Sequence, residues 1–508
     1  MLWQICLVLL AVYYCMWRWK NRDIIKLSKQ LPFPYTCLPF IGHAWLFIRR
    51  GKDPIDTFRL LADEAHKRNG ITSFWFGNYL YVNVADPYAA DKVMKTSLEK
   101  DEVMDLVRPL IGNGSIFAPV TIWRPRRKVL APTFGQKTLN NFVKIFYKQS
   151  AILADQLQSV AGKEKFSIFS YVTTYSMDAI CETTMGVNVN AQGNINHPVL
   201  KAFNGFCQMS AARFVCPWLH PPSVYKYMPN YSTYVKHCQL LKNFVDKIIK
   251  TKGQEINNDW NNNVEPDDKK TKTFLELLIE SSRENNVYTD LELREETLVM
   301  VLAGTDTSAV GASFTMLLLA RHPDIQEKVF QEIAHVCGNS EHPIETDHLP
   351  SLKYLDAVVR ESLRLYPPVP VIVRKIETPT TLPSGLTLVP GVGVAINIWG
   401  IHRNPDIWGP DANEFKPERF IESTLKHPAA FMPFSYGPRN CLGYQYAMMS
   451  MKTVIATVIR NYRILPAEDQ ELNSCASKAN LEVKFEIMMK HVNNFQIRLE
   501  KRSINECI

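Results

Sequence analysis

One cysteine of this sequence stands among residues that suit a metal ligand. Cys441 lies in the segment FSYGPRNCLG, just before an amphipathic helical pattern that begins at Gly443. There it would meet free backbone N–H groups and the helix dipole, which both favour the metal-binding thiolate. Gly437 would let the loop pass a flat cofactor, Phe434 would cover the sulfur, and Arg439 would reach an anion on the cofactor rim. The complete F-x-x-G-x-R-x-C-x-G pattern indicates a ligand, although a single cysteine is usually a small buried hydrophobe.

A second group of polar residues interrupts an apolar helical pattern. Leu291–His322 keeps helical periodicity over roughly thirty residues, about 45 Å, and its middle, VMVLAGTDTSAVGASF, is apolar on nearly every face. We expect this helix to run through the core. At its centre, Gly304, Asp306 and Thr307 are poor helix formers or compete for backbone hydrogen bonds. Two interpretations stay open: a kink with satisfied hydroxyls, or a helix opened so that a ligand can approach its backbone.

The composition excludes several classes of protein. The chain has 508 residues, 46% of them hydrophobic and 11% aromatic, so it can bury a large core and is not disordered throughout. The formal net charge of +8 is modest for this length. The eleven cysteines are scattered without a C-x-x-C pair. This argues against a disulfide framework or a finger-type zinc site and fits a reducing compartment.

The N-terminus has the pattern of a membrane anchor. Residues 1–17 carry no charged side chain, and a basic cluster, Arg18 to Arg22, follows at once. The length is the lower limit for a bilayer-spanning helix, and the basic cluster predicts that the body faces the cytoplasm. A cleaved signal peptide and an interfacial helix are the alternatives, but the basic start and small-x-small site of a signal peptide are missing. Residues 18–42 are predicted to be a basic, proline-rich hinge, extended and stiff from Leu31 to Gly42.

The remainder of the chain, residues 43–508, shows mainly helical periodicity and no internal repeat. The predicted fold class is therefore mainly α with small β-sheets. The polar stretch Thr251–Thr273 is interpreted as a surface loop between helices. Helices are predicted at Asn140–Ser159, Tyr234–Lys250, Leu291–His322 and Tyr354–Tyr366, and strand-like runs at Ile71–Val84, Thr381–Ile398 and, as a hairpin, Lys484–Leu499.

The segment around Cys441 resembles the haem-binding loop of the cytochrome P-450 family. Family elements stand before it in the family's order: AGTDTS, then ESLR, then PERF. The resemblance covers the chain after the anchor and implies the cytochrome P-450 fold, one large helical domain over residues 43–508 that encloses a haem behind an N-terminal transmembrane helix. The passages CPWLHPP, HRNPDIWGPDANEFKPERF and FMPFSYGPRNCLG look most like the fourth clan, which includes fatty-acid omega-hydroxylases and many insect enzymes.

The resemblance also implies a cofactor, haem b (iron protoporphyrin IX), with Cys441 as the axial ligand of the iron. Gly304 is expected to make room for dioxygen, and Phe434 and Gly443 belong to the cofactor-binding set. Many members of the fourth clan have a glutamate before the glycine of the long helix, where it esterifies the haem. Here that position is Ala303, so no covalent link is expected. The residues that match the family's partners of the haem propionates are Trp123, Arg127, Arg374 and Arg439.

Two further groups of residues match roles in the family. Asp306 and Thr307 resemble its acid–alcohol pair, which delivers protons from solvent. Glu361, Arg364 and Arg419 resemble its buried triad, which holds the scaffold behind the haem. E-x-x-R alone is commonly a solvated pair, but its place between AGTDTS and FSYGPRNCLG makes the match specific.

The densest basic patch of the chain is predicted to dock an acidic redox partner near the sulfur side of the haem. The resemblance implies NADPH-cytochrome P-450 reductase, with cytochrome b5 as a second candidate. Solvated surface arginines are the alternative, and no nucleic-acid partner is expected because no nucleic-acid-binding motif accompanies the patch. The patch consists of Arg124, Arg126, Arg127 and Lys128.

The predicted function is a membrane-bound monooxygenase that uses O2 and reductase-supplied electrons to hydroxylate an apolar substrate. Fatty acids, terpenoids or hormones, and xenobiotics are the candidate substrates. The implied location is the endoplasmic reticulum membrane, with the catalytic domain in the cytoplasm. A haem-thiolate isomerase or lyase and a silent haem carrier are the alternatives, and the presence of the Asp306–Thr307 pair favours the monooxygenase.

The substrate walls are expected, by family position, in segments of aliphatic and aromatic residues. These segments are Leu106–Phe117, Phe206–Trp218, Val299–Ala303, Val369–Val373 and the hairpin tip Val492–Phe495. Ordinary core would have the same composition. Phe214, Val215, Trp218 and Leu219 are alternatively expected to enter the membrane beside the anchor.

Overall fold

The computed structural model describes most of the chain. The described residues are 14–49, 52–261, 272–285, 288–338, 342–422, 424–468 and 480–502, together with Gln4 and Val12. Within them the protein is mainly helical with small β-sheets, as the sequence predicts.

The α-helices form most of the body and are numbered in chain order. They are α1 Arg22–Gln30, α2 Pro54–His66, α3 Pro87–Thr96, α4 Arg108–Ile111, α5 Val120–Leu130, α6 Gln136–Leu157, α7 Ile168–Ile180, α8 Pro198–Phe214, α9 Pro222–Tyr225, α10 Tyr231–Asn261, α11 Phe274–Asn285, α12 Asp290–Arg321, α13 Pro323–Cys337, α14 Lys353–Leu365, α15 Ile398–Ile401, α16 Pro405–Trp408, α17 Arg419–Glu422 and α18 Tyr444–Asn461.

The β-strands pair into small sheets. The largest has the order β1-β2-β7-β4, in which β2 and β7 are parallel and the other neighbours are antiparallel. The others have the orders β3-β11-β8, β10-β9 and β5-β6. The strands are β1 Ile71–Phe76, β2 Tyr79–Val84, β3 Phe166–Ser167, β4 Val371–Lys375, β5 Thr380–Thr381, β6 Thr387–Leu388, β7 Gly393–Asn397, β8 Tyr462–Pro466, β9 Val483–Glu486, β10 Met488–His491 and β11 Gln496–Lys501.

Helix α12 is the long core helix that the apolar pattern predicts. It begins with a capping box between Thr289 and Glu292 and contacts α7, α14 and α18. It continues through the polar centre as one helix, where the hydroxyl of Thr305 donates to the Val301 carbonyl at 2.7 Å. The Thr307 hydroxyl donates in the same way to Ala303 at 2.6 Å. The hydroxyls of Thr305 and Thr307 are thus satisfied by the carbonyls one turn earlier.

Several predicted elements differ from the structure in their boundaries, and the strand-like run Thr381–Ile398 divides into the short strands β5, β6 and β7. Helix α10 continues to Asn261, so the polar stretch predicted as a loop from Thr251 is helical over its first half. Residues 262–271 of that stretch lie outside the described residues. The run Ile71–Val84 is two antiparallel strands, because Gly77 turns the chain with a positive φ of 59°. The predicted hairpin Lys484–Leu499 comprises β9, β10 and β11, because Ile487 and the segment before Phe495 also turn the chain.

The N-terminal segment packs against the body where it is described. Residues 14–20 are helical, and the Trp17 ring lies 5.8 Å from the Trp75 ring of β1. The predicted anchor, residues 1–17, lies mostly outside the described residues. Among the described helices, α12 is the one long and apolar enough to cross a membrane, but its most apolar window is 72% buried inside the protein. It is a core helix by its contacts.

Candidate functional site

The Cys441 loop is held in a strained turn before α18. Gly437 has a φ of 72°, and a Cβ at this position would lie 2.7 Å from the Met94 carbonyl oxygen of α3. Only glycine fits both the dihedral angle and this close approach. The Cys441 N–H donates to the Phe434 carbonyl at 2.8 Å, and Gly443 is the N-cap residue of α18. The turn at Gly437 and the N-cap at Gly443 therefore position the Cys441 sulfur.

The Cys441 side chain faces an internal cavity. Its accessible surface is large, yet the residue is enclosed on all sides by protein, so this surface belongs to the cavity rather than to bulk solvent. Burial raises the pKa of the Cys441 thiol, while the Gly443 N–H and the charge of Arg127 act to lower the pKa. A bound cation at the sulfur would favour the thiolate further.

The cavity has a volume of about 490 Å³ and separates the Cys441 loop from helix α12. On the α12 side it is lined by Ala303, Gly304 and Thr307. A Cβ at Gly304 would lie 2.7 Å from the Ile180 side chain of α7, so this glycine allows α7 and α12 to approach closely. The cysteine and the polar centre of α12 thus face one shared space, across which a flat cofactor fits.

The predicted cationic cradle is partly assembled by backbone carbonyls. Arg439 donates to the carbonyls of Leu98 and Ala118, at 2.9 and 2.8 Å, and its guanidinium lies 4.8 Å from the Trp123 ring. Arg127 donates to the Asn440 carbonyl at 3.0 Å and to its side chain at 2.7 Å. These contacts fix both arginines along the wall of the cavity.

Arg374 is a fully buried cation that lacks an anion among the described residues. Its side chain is 0% exposed, and Nη1 donates to the Val373 carbonyl at 3.1 Å. Nε and Nη2 have no hydrogen-bond partner in the part of the chain that the structure describes. Burial and the nearby charge of Arg439 lower the pKa of Arg374 to about 9. Unpaired buried donors of this kind are costly, so the site suits a carboxylate supplied by a bound molecule.

Lys100 is a further cation of the cavity wall, which also carries Arg127 and Arg439, and the sequence analysis missed it. It lines the cavity, and its ammonium lies 5.8 Å from the Phe117 ring. Burial and the charges of Arg374 and Arg439 hold its pKa well below the usual value. No motif surrounds Lys100 in the sequence; only the fold places it beside the two arginines. Three adjacent cations fit a cofactor that carries two carboxylates, as haem b does.

The acid and the alcohol of α12 face different directions. Thr307 lines the cavity. Asp306 is 1% exposed, does not line the cavity, and lies 3.5 Å from the Lys490 ammonium of β10. Burial raises the pKa of Asp306, and the Lys490 charge opposes that change. The structure therefore brings Thr307, but not the Asp306 carboxylate, to the cavity wall.

The predicted triad is assembled behind the Cys441 loop. Arg364 makes two bonds to the Glu361 carboxylate, at 2.7 and 2.8 Å, and both side chains are fully buried. Arg419 lies 3.5 Å from the same carboxylate. Arg364 also donates to the carbonyls of His402 and Ala412. The group therefore ties α14 to the segment that precedes the loop.

The predicted basic patch is wrong in one member. Arg126 is 6% exposed, and its guanidinium pairs with Glu292 at 2.6 Å and Glu296 at 2.8 Å on α12. It therefore cannot contact a docking partner. Arg124 and Lys128 are four residues apart and share an exposed face of α5, whereas Arg126 lies on another face of the helix.

The cavity wall agrees with four of the five predicted segments. The hairpin tip Val492–Phe495 is the exception, because Phe495 is 0% exposed and packs against Phe169 and Phe314. Phe485, Ile487 and Met488 of the same region line the cavity instead. The sequence analysis missed an aromatic group that also lines it: Phe47, Phe58, Phe74 and Phe76.

The segment predicted to enter the membrane divides between two roles. Phe214 and Val215 line the cavity, and Val215 is 6% exposed. Trp218 is 43% exposed and remains available at the surface. The helix α8 therefore ends with its apolar side chains turned inward.

The donor set of the described residues indicates which kind of metal group fits. Among them, no three His, Cys, Asp or Glu side chains are close enough to hold a metal ion together. Cys441 is the thiol that faces the cavity beside the cations. A single protein ligand suits a metal ion whose other ligands are supplied by a bound macrocycle.

Comparisons with known proteins agree with this geometry. A family model described as Cytochrome P-450 matches residues 32–489. Cytochrome P-450 4c21 of Blattella germanica is 31% identical over 492 residues, which cover 95% of this chain and 96% of that protein. Cytochrome P-450 4c3 of Drosophila melanogaster is 30% identical, over 91% of this chain and 89% of that protein. Cytochrome P-450 4V2 of Homo sapiens is 28% identical, over 94% of this chain and 91% of that protein.

Proposed function

The chain belongs to the cytochrome P-450 family, and from that premise we propose that it is a membrane-bound enzyme that hydroxylates an apolar substrate in the cavity above Cys441. The family supplies the coarser facts: the protein is a monooxygenase, and its haem b is held by a cysteine thiolate without a covalent bond to the porphyrin. The observation that carries the proposal is the cavity itself, which runs from the sulfur to Thr307.

The haem, when bound, activates dioxygen, and the protein's residues hold it and control what reaches it. Cys441 is proposed as the axial ligand, and Arg127, Arg374 and Arg439 as partners of the propionates, with Trp123 packed against Arg439. Lys100 joins this cradle because it lines the same wall. Phe434 covers the sulfur side, where its ring lies 4.8 Å from that of Tyr444, and so keeps water away from the thiolate.

The ligand assignment has a direct spectroscopic test. Cys441→Ser removes the thiolate, so the characteristic Soret band of the reduced carbonyl complex should be lost. Cys207→Ser is the matched control, because Cys207 is a buried thiol of the same cavity wall on α8. Survival of the thiolate-type band in the Cys441 variant would show that another group holds the iron.

Proton delivery is proposed for the polar centre of α12. Thr307 lines the cavity and offers a hydroxyl that is held by the Ala303 carbonyl. Asp306, next to it, is a buried carboxyl that can pass protons inward from the side of β10. Ala303 has no carboxylate with which to esterify the haem, in agreement with a cofactor that is held by coordination and hydrogen bonds alone.

The substrate is proposed to be an elongated or fused apolar molecule: a fatty acid, a terpenoid or hormone, or a xenobiotic. This is supported by the residues that line the cavity, most of which are aliphatic or aromatic, among them the phenylalanines of α2 and β1. We would assay the full-length enzyme with its reductase on lauric acid, farnesol and 7-ethoxycoumarin. NADPH-dependent oxidation of one of them is the expected result.

The alternative is a haem-thiolate isomerase or lyase of the same fold, which rearranges a peroxide without a reductase. The same assay decides between the two, because a monooxygenase consumes NADPH and O2 in step with product. The isomerase or lyase would be favoured by two results together. The protein would convert a lipid hydroperoxide, and NADPH would not support oxidation of any compound of the panel.

The electron donors are proposed to be NADPH-cytochrome P-450 reductase and, as a second donor, cytochrome b5. Helix α5 borders the Cys441 loop, because Arg127 bonds to Asn440. Arg124 and Lys128 lie on the exposed side of this helix and would meet an acidic partner there.

The location is proposed to be the endoplasmic reticulum membrane, with the catalytic domain in the cytoplasm. Besides the uncharged N-terminal run, an exposed apolar surface supports this: Phe40 is 76% and Trp218 is 43% exposed. Their segments meet at Gly77, where a Cβ would lie 3.8 Å from the Phe40 carbonyl and 3.5 Å from Pro217. Replacing both aromatic residues with glutamate should weaken flotation with phosphatidylcholine vesicles.

A further inference from the structure

Asp306 has an unusual environment for a residue that passes protons. Its carboxylate is turned away from the cavity, and neither oxygen has a hydrogen-bond partner in the described part of the chain. The Lys490 ammonium lies 3.5 Å from Oδ2, an ion-pair distance. An isolated carboxylate would not stay ionised at 1% exposure, so its charge depends on this lysine.

Lys490 is itself held by groups from two other elements. It is 4% exposed, and its ammonium donates to the Asn204 side chain of α8 at 2.8 Å. The same ammonium lies 4.8 Å from the Phe169 ring of α7. One buried ammonium therefore contacts α12, α8 and α7 at once, from a position on strand β10.

Another ionisable group near Asp306 has the opposite effect to Lys490 on the pKa of Asp306. Glu486 of β9 raises the pKa of Asp306, as burial does, while Lys490 lowers it. Glu486 is paired with Lys484 at 2.8 Å and accepts a hydrogen bond from Gln208 at 3.2 Å. Cys207 of α8 lies close enough for the charges of Asp306 and Lys490 to affect its pKa. Among these residues, Lys490 is the one whose positive charge lies next to the Asp306 carboxylate.

We propose that Lys490 is a positioning residue of the proton relay, whose ammonium holds the Asp306 carboxylate in place and couples it, through Asn204, to helix α8. Helix α8 also carries Phe203, Phe206 and Cys207 of the cavity wall. One ammonium thus joins the acid of α12 to the helix that carries part of the cavity wall. This inference rests on the proposed monooxygenase function and on the proposed role of Asp306.

The experiment compares Lys490→Met, Lys490→Arg and the native holoenzyme, reconstituted with reductase. The probe is the compound of the substrate panel that the native enzyme oxidises fastest. We expect Lys490→Met to form about tenfold less product per NADPH and correspondingly more hydrogen peroxide, with rescue by Lys490→Arg. Lys501→Met removes an exposed lysine of the neighbouring strand β11 and should match the native ratio.

The pH profile separates a charge effect from a loss of folding. Without Lys490, burial and Glu486 remain and both raise the pKa of Asp306, so the midpoint of the coupling–pH profile should move to higher pH. Turnover driven by cumene hydroperoxide needs neither reductase nor the proton relay and should be unchanged. An equal loss in that reaction would show a merely structural role and overturn the inference.

Two further variants keep the test decisive. If Lys490→Met does not incorporate haem, Lys490→Gln removes the charge and keeps a donor to Asn204. Asn204→Leu keeps the ion pair and should lower coupling about two- to threefold; no change would remove the link to α8. If Asp306→Asn uncouples the enzyme but Lys490→Met does not, the inference fails and the proposed function stands. If Asp306→Asn stays fully coupled, the proposed role of Asp306 fails first.

Discussion

A guanidinium that is buried without an anion destabilises the protein around it, and Arg374 is in this position. Burial beside the positive charge of Arg439 lowers its pKa, and its Nε and Nη2 have no hydrogen-bond partner in the described part of the chain. Lys100 and Arg439 add further positive charge at the same wall. The local electrostatics are therefore complete only when a carboxylate-bearing group is bound there.

Arg374→Leu should weaken retention of the haem. A hydrogen bond to a charged group contributes about 2 kcal/mol, which corresponds to roughly 30-fold in affinity. The measurement is transfer of haem to apomyoglobin from the variant and the native protein. Arg374→Lys keeps the positive charge but loses the paired N–H donors of the guanidinium. Its rate of haem transfer should therefore lie between those of the native protein and Arg374→Leu. Equal transfer rates in all three proteins would remove Arg374 from the cradle.

Thr307→Ala should divert reducing equivalents into hydrogen peroxide, because the hydroxyl that faces the cavity is lost. We expect at least about a tenfold lower ratio of product to NADPH consumed, with NADPH oxidation itself continuing. Thr305→Ala is the matched control, since Thr305 has the same bond to its own helix but does not line the cavity. Full coupling in the Thr307 variant would argue that another group delivers the protons.

At the scale of elements, the Cys441 loop is positioned by what lies behind it. Helix α3 approaches so closely that residue 437 has no room for a side chain, and α14 contributes Glu361 and Arg364 to the buried triad. Breaking such a buried pair costs about 3–5 kcal/mol, because one charge is left uncompensated. The loop thus owes its shape to contacts made far from it in sequence.

Gly437→Ala tests that dependence. A Cβ would meet the Met94 carbonyl at 2.7 Å and force a positive φ on alanine, so we expect a loss of about 2 kcal/mol in unfolding free energy and a reduced haem content. Gly385→Ala is the control: its φ is 85°, but nothing lies within 4 Å of the added Cβ. Urea unfolding and the reduced carbonyl spectrum measure the two effects. Similar losses in both variants would show that φ strain alone is responsible.

At the scale of the whole molecule, the proposed redox partner and the substrate would approach the haem site from different sides. The Cys441 loop and α5 lie on the side where Arg124 and Lys128 are exposed, whereas aromatic residues of α2, β1 and α8 line the cavity. Electrons and substrate are therefore expected to arrive from different surfaces.

The double variant Arg124→Glu, Lys128→Glu should slow reduction by the reductase about tenfold at low salt and less at high salt, since screening weakens the contact. Stopped-flow reduction under carbon monoxide measures this rate. Turnover driven by cumene hydroperoxide should stay at the native level. Arg126 is left unchanged because its ion pairs with Glu292 and Glu296 are structural. An unaltered reduction rate at low salt would place the docking surface elsewhere.

The sequence alone determined whatever depends on local pattern. The long core helix was predicted from helical periodicity, and the cavity-facing Cys441 and the buried triad from short motifs and their resemblance to a family. The mainly helical fold class followed from the same periodicity.

The tertiary structure decided what depends on contacts between distant segments. It buried Arg126 against α12 and turned Asp306 toward Lys490, and it brought Lys100 close to Arg374 and Arg439. It also placed Phe485 and its neighbours at the cavity wall, where the sequence had predicted the hairpin tip Val492–Phe495. No spacing in the sequence encodes these arrangements, because the direction of a side chain is set by packing between elements that are up to hundreds of residues apart.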